Sequence, residues 1–144
     1  MAYWLLKTEP AVYSFADLER ETLTAWSGVR NAQARNNLVA MQAGDLALIY
    51  HSVTQKAVVG VAEIAAPATP DVTAPAGSRW VDVVIRPVRT LPLPVTLAQI
   101  KAAPALAQIG LVRQSRLSVV PLTAAEFRLV LAMGGAVESD PVAG

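Results

Sequence analysis

The amino-acid sequence of this 144-residue chain has no cysteine, a single histidine and a small share of charged residues, 16%. Without cysteine there is no disulfide framework, no thiolate nucleophile and no zinc ribbon, and one histidine argues against a histidine-rich metal site. No apolar run approaches the roughly 18 residues of a membrane span. Lys7 and Glu9 interrupt the N-terminal apolar residues too early for a signal peptide. We therefore expect no metal or other cofactor, no membrane partner and a cytoplasmic location.

The motifs of several enzyme classes are missing as well. The sequence matches neither G-x-G-x-x-G nor G-x-x-x-x-G-K-[ST], and it has no G-x-S-x-G nucleophile elbow. His51 and Ser52 are adjacent, so on a strand their side chains would project to opposite faces. No motif fixes a pair of carboxylates. We predict that the chain is not an enzyme, and a small-molecule or hydrolytic site assembled from distant residues is the open alternative.

Hydrophobic residues make up 53% of the sequence, enough for one domain with its own core. The sequence pattern predicts strands over 3–7, 45–52, 57–64, 80–88 and 115–120, helices near 14–18, 34–41, 96–101 and 123–133, and a surface loop over 67–77. Gly60 inside a predicted strand indicates a bulge or a close backbone approach. We predict an α+β domain around a small, strongly curved sheet or barrel of five or six strands, followed by a flexible tail over 134–144.

Charge is distributed unevenly along a chain whose net charge is only +1. No acidic residue lies between Asp82 and Glu126, whereas this stretch contains Arg86, Arg89, Lys101, Arg113 and Arg116. The asymmetry fits a positively charged face for an anionic ligand, and it fits a solvated rim equally well.

The segment from Trp26 to Asn36, with the sequence WSGVRNAQARN, places a large aromatic ring beside two arginines and several carboxamides. A ring with fork-shaped donors is suited to hold a planar, hydrogen-bonding ligand such as a nucleobase. Each tryptophan taken alone is more often a core residue than a ligand contact. Further candidates are Trp4 and Trp80 as walls, Gln33 and other carboxamides for polar edges, and Arg30, Arg35, Arg113 and Arg116 for phosphate. The residues themselves predict a small-ligand or nucleic-acid pocket.

Several motifs occur in an order typical of one family. They are YWLLKTEP at 3–10, YSF at 13–15, WSGVRN at 26–31, ARN at 34–36, YHS at 50–52, GVAE at 60–63, WVDV at 80–83 and RQSRLSV at 113–119. In these motifs the chain resembles an EVE domain over about residues 2–132. The resemblance implies a domain over 1–133 with a PUA-like fold, a curved mixed β-barrel flanked by helices, related to YTH and ASCH domains. Relatives commonly carry a longer, charged loop ahead of the Trp80 strand, where this chain has a Pro/Ala-rich stretch.

The resemblance also implies a function. EVE domains are thought to read modified bases, modified cytosine in DNA above all, and an RNA-binding or RNA-modification-associated module is the alternative. Trp26 is then expected to be a wall of an aromatic cage, and Trp26→Ala is expected to abolish binding while the fold stays intact. The partner would be DNA or RNA with a modified base, with a separate effector protein to read out binding. The expected ligand-binding residues are Lys7, Thr8, Trp26, Ser27, Arg30, Asn31, Arg35, Asn36, His51, Ser52, Trp80, Arg113 and Arg116.

Overall fold

A computed structural model describes residues 1–136, and in this part of the chain six strands form one sheet. The strands are β1 (Tyr3–Thr8), β2 (Thr24–Trp26), β3 (Leu46–His51), β4 (Ala57–Pro70), β5 (Val81–Thr96) and β6 (Val119–Leu122). Their order across the sheet is β2-β5-β4-β3-β1-β6. β1 and β3 pair in parallel, and the other neighbours pair antiparallel. The sheet is mixed and curls into a half-barrel.

Helices pack on this sheet, and capping residues in the sequence mark where three of them begin. The helices are α1 (Phe15–Glu21), α2 (Ala32–Ala40), α3 (Leu97–Ala102), α4 (Gly110–Arg113) and α5 (Ala124–Met133), with a 3₁₀ turn at Pro104–Leu106. Ser14, Thr96 and Thr123 each form a capping box, which satisfies amides that a helix start leaves without partners. The architecture confirms the predicted α+β fold of the PUA-like type. None of the helices within residues 1–136 is both long and apolar enough to cross a membrane.

Trp4 belongs to the core. Its side chain is buried, and the indole N–H donates to Asp45 Oδ2 at 3.0 Å. Asp45 also accepts the amides of Ala2 and Gln42. Burial alone would raise the pKa of Asp45, but these hydrogen bonds and the nearby N-terminal charge hold the pKa below its ordinary value. This tryptophan therefore anchors the start of β1 to the turn before β3.

Two long strands correct the predicted loop boundaries. β4 runs to Pro70, into the stretch predicted as loop, and β5 continues past the predicted end at 88 to Thr96, through Pro92 and Pro94. The register between β4 and β5 shifts where these two prolines lie: Val58 pairs with Val95, but Gly60 pairs with Thr90. Residues in a bulge need not donate a ladder hydrogen bond, so the strand tolerates proline there.

The C-terminal half differs from the prediction in another way. The segment predicted as a strand over 115–120 becomes a strand only at Val119, and α4 with the turn after it occupies the residues before it. In the N-terminal half, the three-residue β2 was not predicted either. Of the predicted tail, Gly134 accepts the amide of Leu93, and Ala136 is buried. Residues 137–144, on which the rest of that prediction falls, lie outside the described residues.

The predicted close approach at Gly60 is confirmed. A Cβ at this position would lie 2.6 Å from Phe15 Cζ, far inside normal contact distance. Phe15 is the first residue of α1, and its amide donates to His51 Nε2 at 3.0 Å. The missing side chain of Gly60 thus lets α1 pack directly on the sheet.

Gly60→Ala is therefore expected to lower the free energy of unfolding by about 1–3 kcal/mol, because the new methyl group overpacks against the Phe15 ring. Urea denaturation measures the change. In a Phe15→Leu background the same substitution should cost less, because the leucine side chain lacks the ring atoms that the new Cβ meets. An unchanged midpoint for Gly60→Ala alone would contradict the close contact.

Candidate functional site

A cavity of about 500 Å³ is lined by the end of β1 on one side and by β2 on the other. This volume is within the range of about 300–1,000 Å³ that is usual for small-ligand sites. Five of the predicted ligand-binding residues lie in its wall: Lys7, Thr8, Trp26, Ser27 and Arg30. The other lining residues are Val12, Tyr13, Glu21, Thr24, Ala25, Gly28, Val29 and Ser118. The N-terminal third of the sequence therefore supplies almost the whole lining.

Two aromatic rings form one wall of the cavity. Trp26 and Tyr13 meet edge to face, with ring centroids 6.0 Å apart and planes at 84°. Trp26 ends β2, where it pairs with Val83 of β5, and it keeps only 8% of its surface exposed. The indole is therefore both a core side chain and a cavity wall, which fixes its orientation before any ligand arrives.

The turn that presents Tyr13 is attached to the end of β1. Thr8 Oγ1 donates to the backbone oxygen of Tyr13 at 2.6 Å. The Tyr13 hydroxyl donates to Glu21 Oε1, also at 2.6 Å. Burial and the bond to Glu21 raise the pKa of Tyr13 above its ordinary value. Tyr13 and Glu21 were not among the predicted site residues, because only the folded turn brings them beside Trp26.

Lys7 carries positive charge into the cavity. Its Nζ donates to the backbone oxygen of Ser115 at 2.6 Å, and burial lowers the pKa of this lysine. An ammonium group has three donor hydrogens, so this bond leaves donor capacity for a ligand. The same bond ties β1 to the segment that follows α4.

Asp71 is the most important residue that the sequence analysis missed. Its side chain is fully buried, and it accepts the Gly28 amide at 2.9 Å and Arg30 Nη1 at 3.0 Å. It also accepts the amide and hydroxyl of Thr73 at 2.7 and 2.6 Å. The sequence signal was present: an Asp two residues before a Thr, after Pro70, is typical of a side-chain-capped turn.

The hydrogen bonds to Asp71 hold the cavity rim in shape. Burial alone would raise the pKa of Asp71, but the donors from Thr73, Gly28 and Arg30 hold the pKa well below its ordinary value. Gly28 has a φ of +84°, a conformation that glycine adopts without strain. The carboxylate thus fixes a left-handed turn directly after Trp26 and orients the Arg30 guanidinium.

Trp80 and Arg35 lie beside the cavity but not in its lining. The half-buried Trp80 ring has the guanidinium carbons of Arg79 at 4.7 Å and of Arg30 at 5.9 Å from its centroid. Arg35 Nε donates to the backbone oxygen of Arg79 at 2.9 Å, and Arg35 Nη1 donates to Asn36 Oδ1. Two arginines therefore lie against one aromatic ring next to the rim, and Arg35 is bonded to the backbone of one of them.

A second hollow of about 300 Å³ adjoins this region and is strongly polar. Its lining residues are Asn31, Gln33, Arg113, Gln114, Ser115, Arg116 and Leu117. The Lys7–Ser115 bond connects it to the first cavity, because each partner lines one of the two. Asn31 uses its side chain to cap α2 through the Ala34 amide, and Arg113 donates to Gln108 Oε1. The exposed guanidinium groups of Arg113 and Arg116 make this hollow a candidate site for anions.

His51 and Ser52 line neither hollow. His51 is buried at the end of β3, where Nε2 accepts the Phe15 amide and Nδ1 lies 2.7 Å from Gln55 Oε1. This pattern assigns the ring proton to Nδ1. The Ser52 amide donates to Thr8 O at 2.9 Å. Both residues support the elements that carry the cavity. Among residues 1–136 no group of three or more His, Cys, Asp or Glu side chains is placed to hold a metal ion.

The fold and the site together define a PUA-like domain with an aromatic-walled cavity and adjacent cations. The chain belongs to the EVE domain family, whose model matches residues 2–133. Thymocyte nuclear protein 1 of Homo sapiens is 32% identical to it over an alignment that covers 92% of this chain and 73% of that protein.

Solved structures agree with this assignment. A protein from Agrobacterium tumefaciens is 42% identical, with a TM-score of 0.93 over the whole of both chains. The human THYN1 protein, solved in complex with DNA that contains 5-methylcytosine, is 31% identical, with a TM-score of 0.87 over 98% of this chain and all of that one. An ASCH protein from Zymomonas mobilis, 14% identical with a TM-score of 0.57 over 91% of this chain and 94% of that one, shares the fold.

Proposed function

We propose that this protein binds nucleic acid and accepts one modified base, modified cytosine in DNA first, in the cavity beside Trp26. The observation that carries the proposal is the cavity itself: about 500 Å³, walled by Trp26 and Tyr13, with cations at Lys7 and Arg30. Support also comes from the human THYN1 protein, which was solved with DNA containing 5-methylcytosine and has a similar fold.

The charges around the cavity suit a nucleotide better than a free neutral ligand. A base that enters the cavity brings its phosphates to the rim, where Arg30 lies in the lining and Arg35 is bonded to the backbone of Arg79 beside Trp80. The second hollow adds Arg113 and Arg116 on the Lys7 side. Removing a base from a duplex costs a few kcal/mol, so an unpaired or mispaired modified base should bind most readily.

The lining offers recognition groups and holds no pre-assembled nucleophile and base. The Thr8 hydroxyl donates to the Tyr13 carbonyl oxygen. The single histidine, His51, is buried and hydrogen-bonded to Phe15 and Gln55. We propose binding without turnover, read out by a separate effector protein in the cytoplasm.

A binding screen tests the proposed function. Fluorescence anisotropy at fixed salt would compare single- and double-stranded DNA and RNA of one sequence, with one cytosine, 5-methylcytosine or adenine derivative at the centre. We expect the tightest binding to DNA with 5-methylcytosine. Preference for RNA would favour the RNA-binding alternative, and equal, weak binding to every oligonucleotide would contradict base recognition.

Replacing Arg113 and Arg116 together by glutamine is expected to weaken binding to modified and unmodified oligonucleotides alike. Each lost phosphate contact should reduce the slope of log affinity against log salt by about 0.7 on a single strand, so two contacts give about 1.4. Salt titrations measure this slope. Lys101→Gln is the matched control, since Lys101 is an exposed cation on α3 that lines neither hollow. An unchanged slope in the double variant would contradict the proposal that Arg113 and Arg116 contact phosphates.

A further inference from the structure

Glu21 is the acidic residue in the wall of a cavity whose other charged lining residues, Lys7 and Arg30, are cations. It is the last residue of α1, and Thr22 ends the helix with a left-handed φ of 64°. That turn directs the chain from the helix into β2, so the residues just before and just after it, Glu21 and Thr24, line the same cavity. The position of the carboxylate therefore follows from the fold.

The Tyr13 hydroxyl determines how this carboxylate is held. Tyr13 donates to Glu21 Oε1 at 2.6 Å, and the Tyr13 ring is itself fixed edge to face against Trp26. Within residues 1–136 no protein donor is bonded to the other oxygen, Oε2. An ionised carboxylate only accepts hydrogen bonds. A ligand seated against Trp26 and Tyr13 therefore meets a fixed acceptor that lacks a protein partner.

We propose that Glu21, oriented by Tyr13, selects a base that presents an exocyclic amine, and so distinguishes an amino-bearing base from its keto counterpart. The proposal rests on the proposed function. Cytosine and 5-methylcytosine carry an exocyclic amine, whereas thymine carries a carbonyl oxygen at the same ring position. An amine at this position donates to the carboxylate, whereas a carbonyl would place two acceptors against each other.

The pair 5-methylcytosine and thymine provides a sharp test, because both carry the same methyl group and differ on the hydrogen-bonding edge. In single-stranded DNA of one sequence, with either base at the centre, we expect the wild-type protein to bind the 5-methylcytosine strand about 10- to 100-fold more tightly. In Glu21→Gln the carboxamide still accepts from Tyr13 and presents an N–H₂ group to the ligand. The preference should then fall below about threefold or reverse towards thymine.

Glu19→Gln is the matched control. Glu19 lies on the same helix and is exposed, but its carboxylate accepts from Thr90 Oγ1 and does not line the cavity. This variant should keep the full preference. A wild-type protein that binds both strands equally well, or a Glu21→Gln variant that discriminates as the wild type does, would overturn the proposal while nucleic-acid binding stands. A wild-type protein that binds neither strand removes the proposed function and this inference together.

Discussion

Trp26→Leu is expected to weaken binding of DNA with 5-methylcytosine by about 10- to 100-fold, because one base stacked on an aromatic ring is worth about 1–3 kcal/mol. Leucine keeps much of the buried apolar volume but removes the flat ring that walls the cavity. Anisotropy titrations of folded protein measure the loss, with circular dichroism to confirm the fold.

From the sequence, Trp26→Ala is expected to leave the fold intact, but the burial of Trp26 argues against this. Trp26 is 8% exposed and belongs to the hydrophobic core, so alanine would cost about 3–5 kcal/mol of stability as well as binding. Val83→Ala is the matched control for the leucine variant: Val83 pairs with Trp26 across the sheet, is fully buried and does not line the cavity. It should lose stability and keep affinity. Equal losses of affinity in both variants would mean that the ring acts only through the fold.

Asp71→Asn is expected to lower the free energy of unfolding by about 2–4 kcal/mol at neutral pH, because it removes a buried charge that accepts four hydrogen bonds. The neighbouring Asp82 should behave in the opposite way. Asp82 is also buried, but the bond that it accepts from Thr69 is long, 3.3 Å, and burial with the nearby Asp71 charge raises its pKa. Asp82→Asn should therefore be neutral or stabilising.

The two aspartates should also give opposite pH dependences. The pKa of Asp71 is lower in the folded chain than in the unfolded chain, so its stabilisation is complete above the unfolded value of about 3.9 and is lost as the pH falls through the folded pKa. Asp82 has a raised folded pKa, so its contribution falls as the pH rises from about 3.9 through the folded value. Urea denaturation between pH 3 and 7 should show a flatter acid limb for Asp71→Asn. A limb as steep as that of the wild type would contradict the Asp71 assignment.

Much of the fold follows from local sequence signals. The capping residues Ser14, Thr96 and Thr123 and the apolar runs of β1 and β3 identify their elements because each signal acts within a few residues. β2 was missed because three residues carry no periodicity, and its pairing with β5 is a tertiary contact. The full lengths of β4 and β5 were missed because proline normally ends a strand, and only the folded register shows that Pro92 and Pro94 lie in a bulge.

The candidate site was predictable only in part, for a similar reason. The composition of the segment that starts at Trp26 marks it as a candidate binding site. Five of the predicted ligand-binding residues line the cavity. Tyr13 and Glu21 reach the cavity through a turn and a helix end, and Asp71, 43 residues beyond Gly28, bonds to two of the lining residues. His51 was a candidate because it is the single histidine of the sequence. Its structural role depends on a hydrogen bond to Phe15, 36 residues away, and on one to Gln55 in the following turn, and the sequence motif predicts neither.

The most direct test uses the three tryptophans as reporters. In a ¹⁵N-labelled sample each indole N–H gives its own signal, and Trp4, bonded to Asp45 in the core, is an internal reference. Titration with a single strand that contains 5-methylcytosine should shift the Trp26 signal with the same saturation curve as the anisotropy, and leave Trp4 in place. Saturated binding with an unmoved Trp26 signal would show that the base binds elsewhere and would contradict the cavity as the reading site.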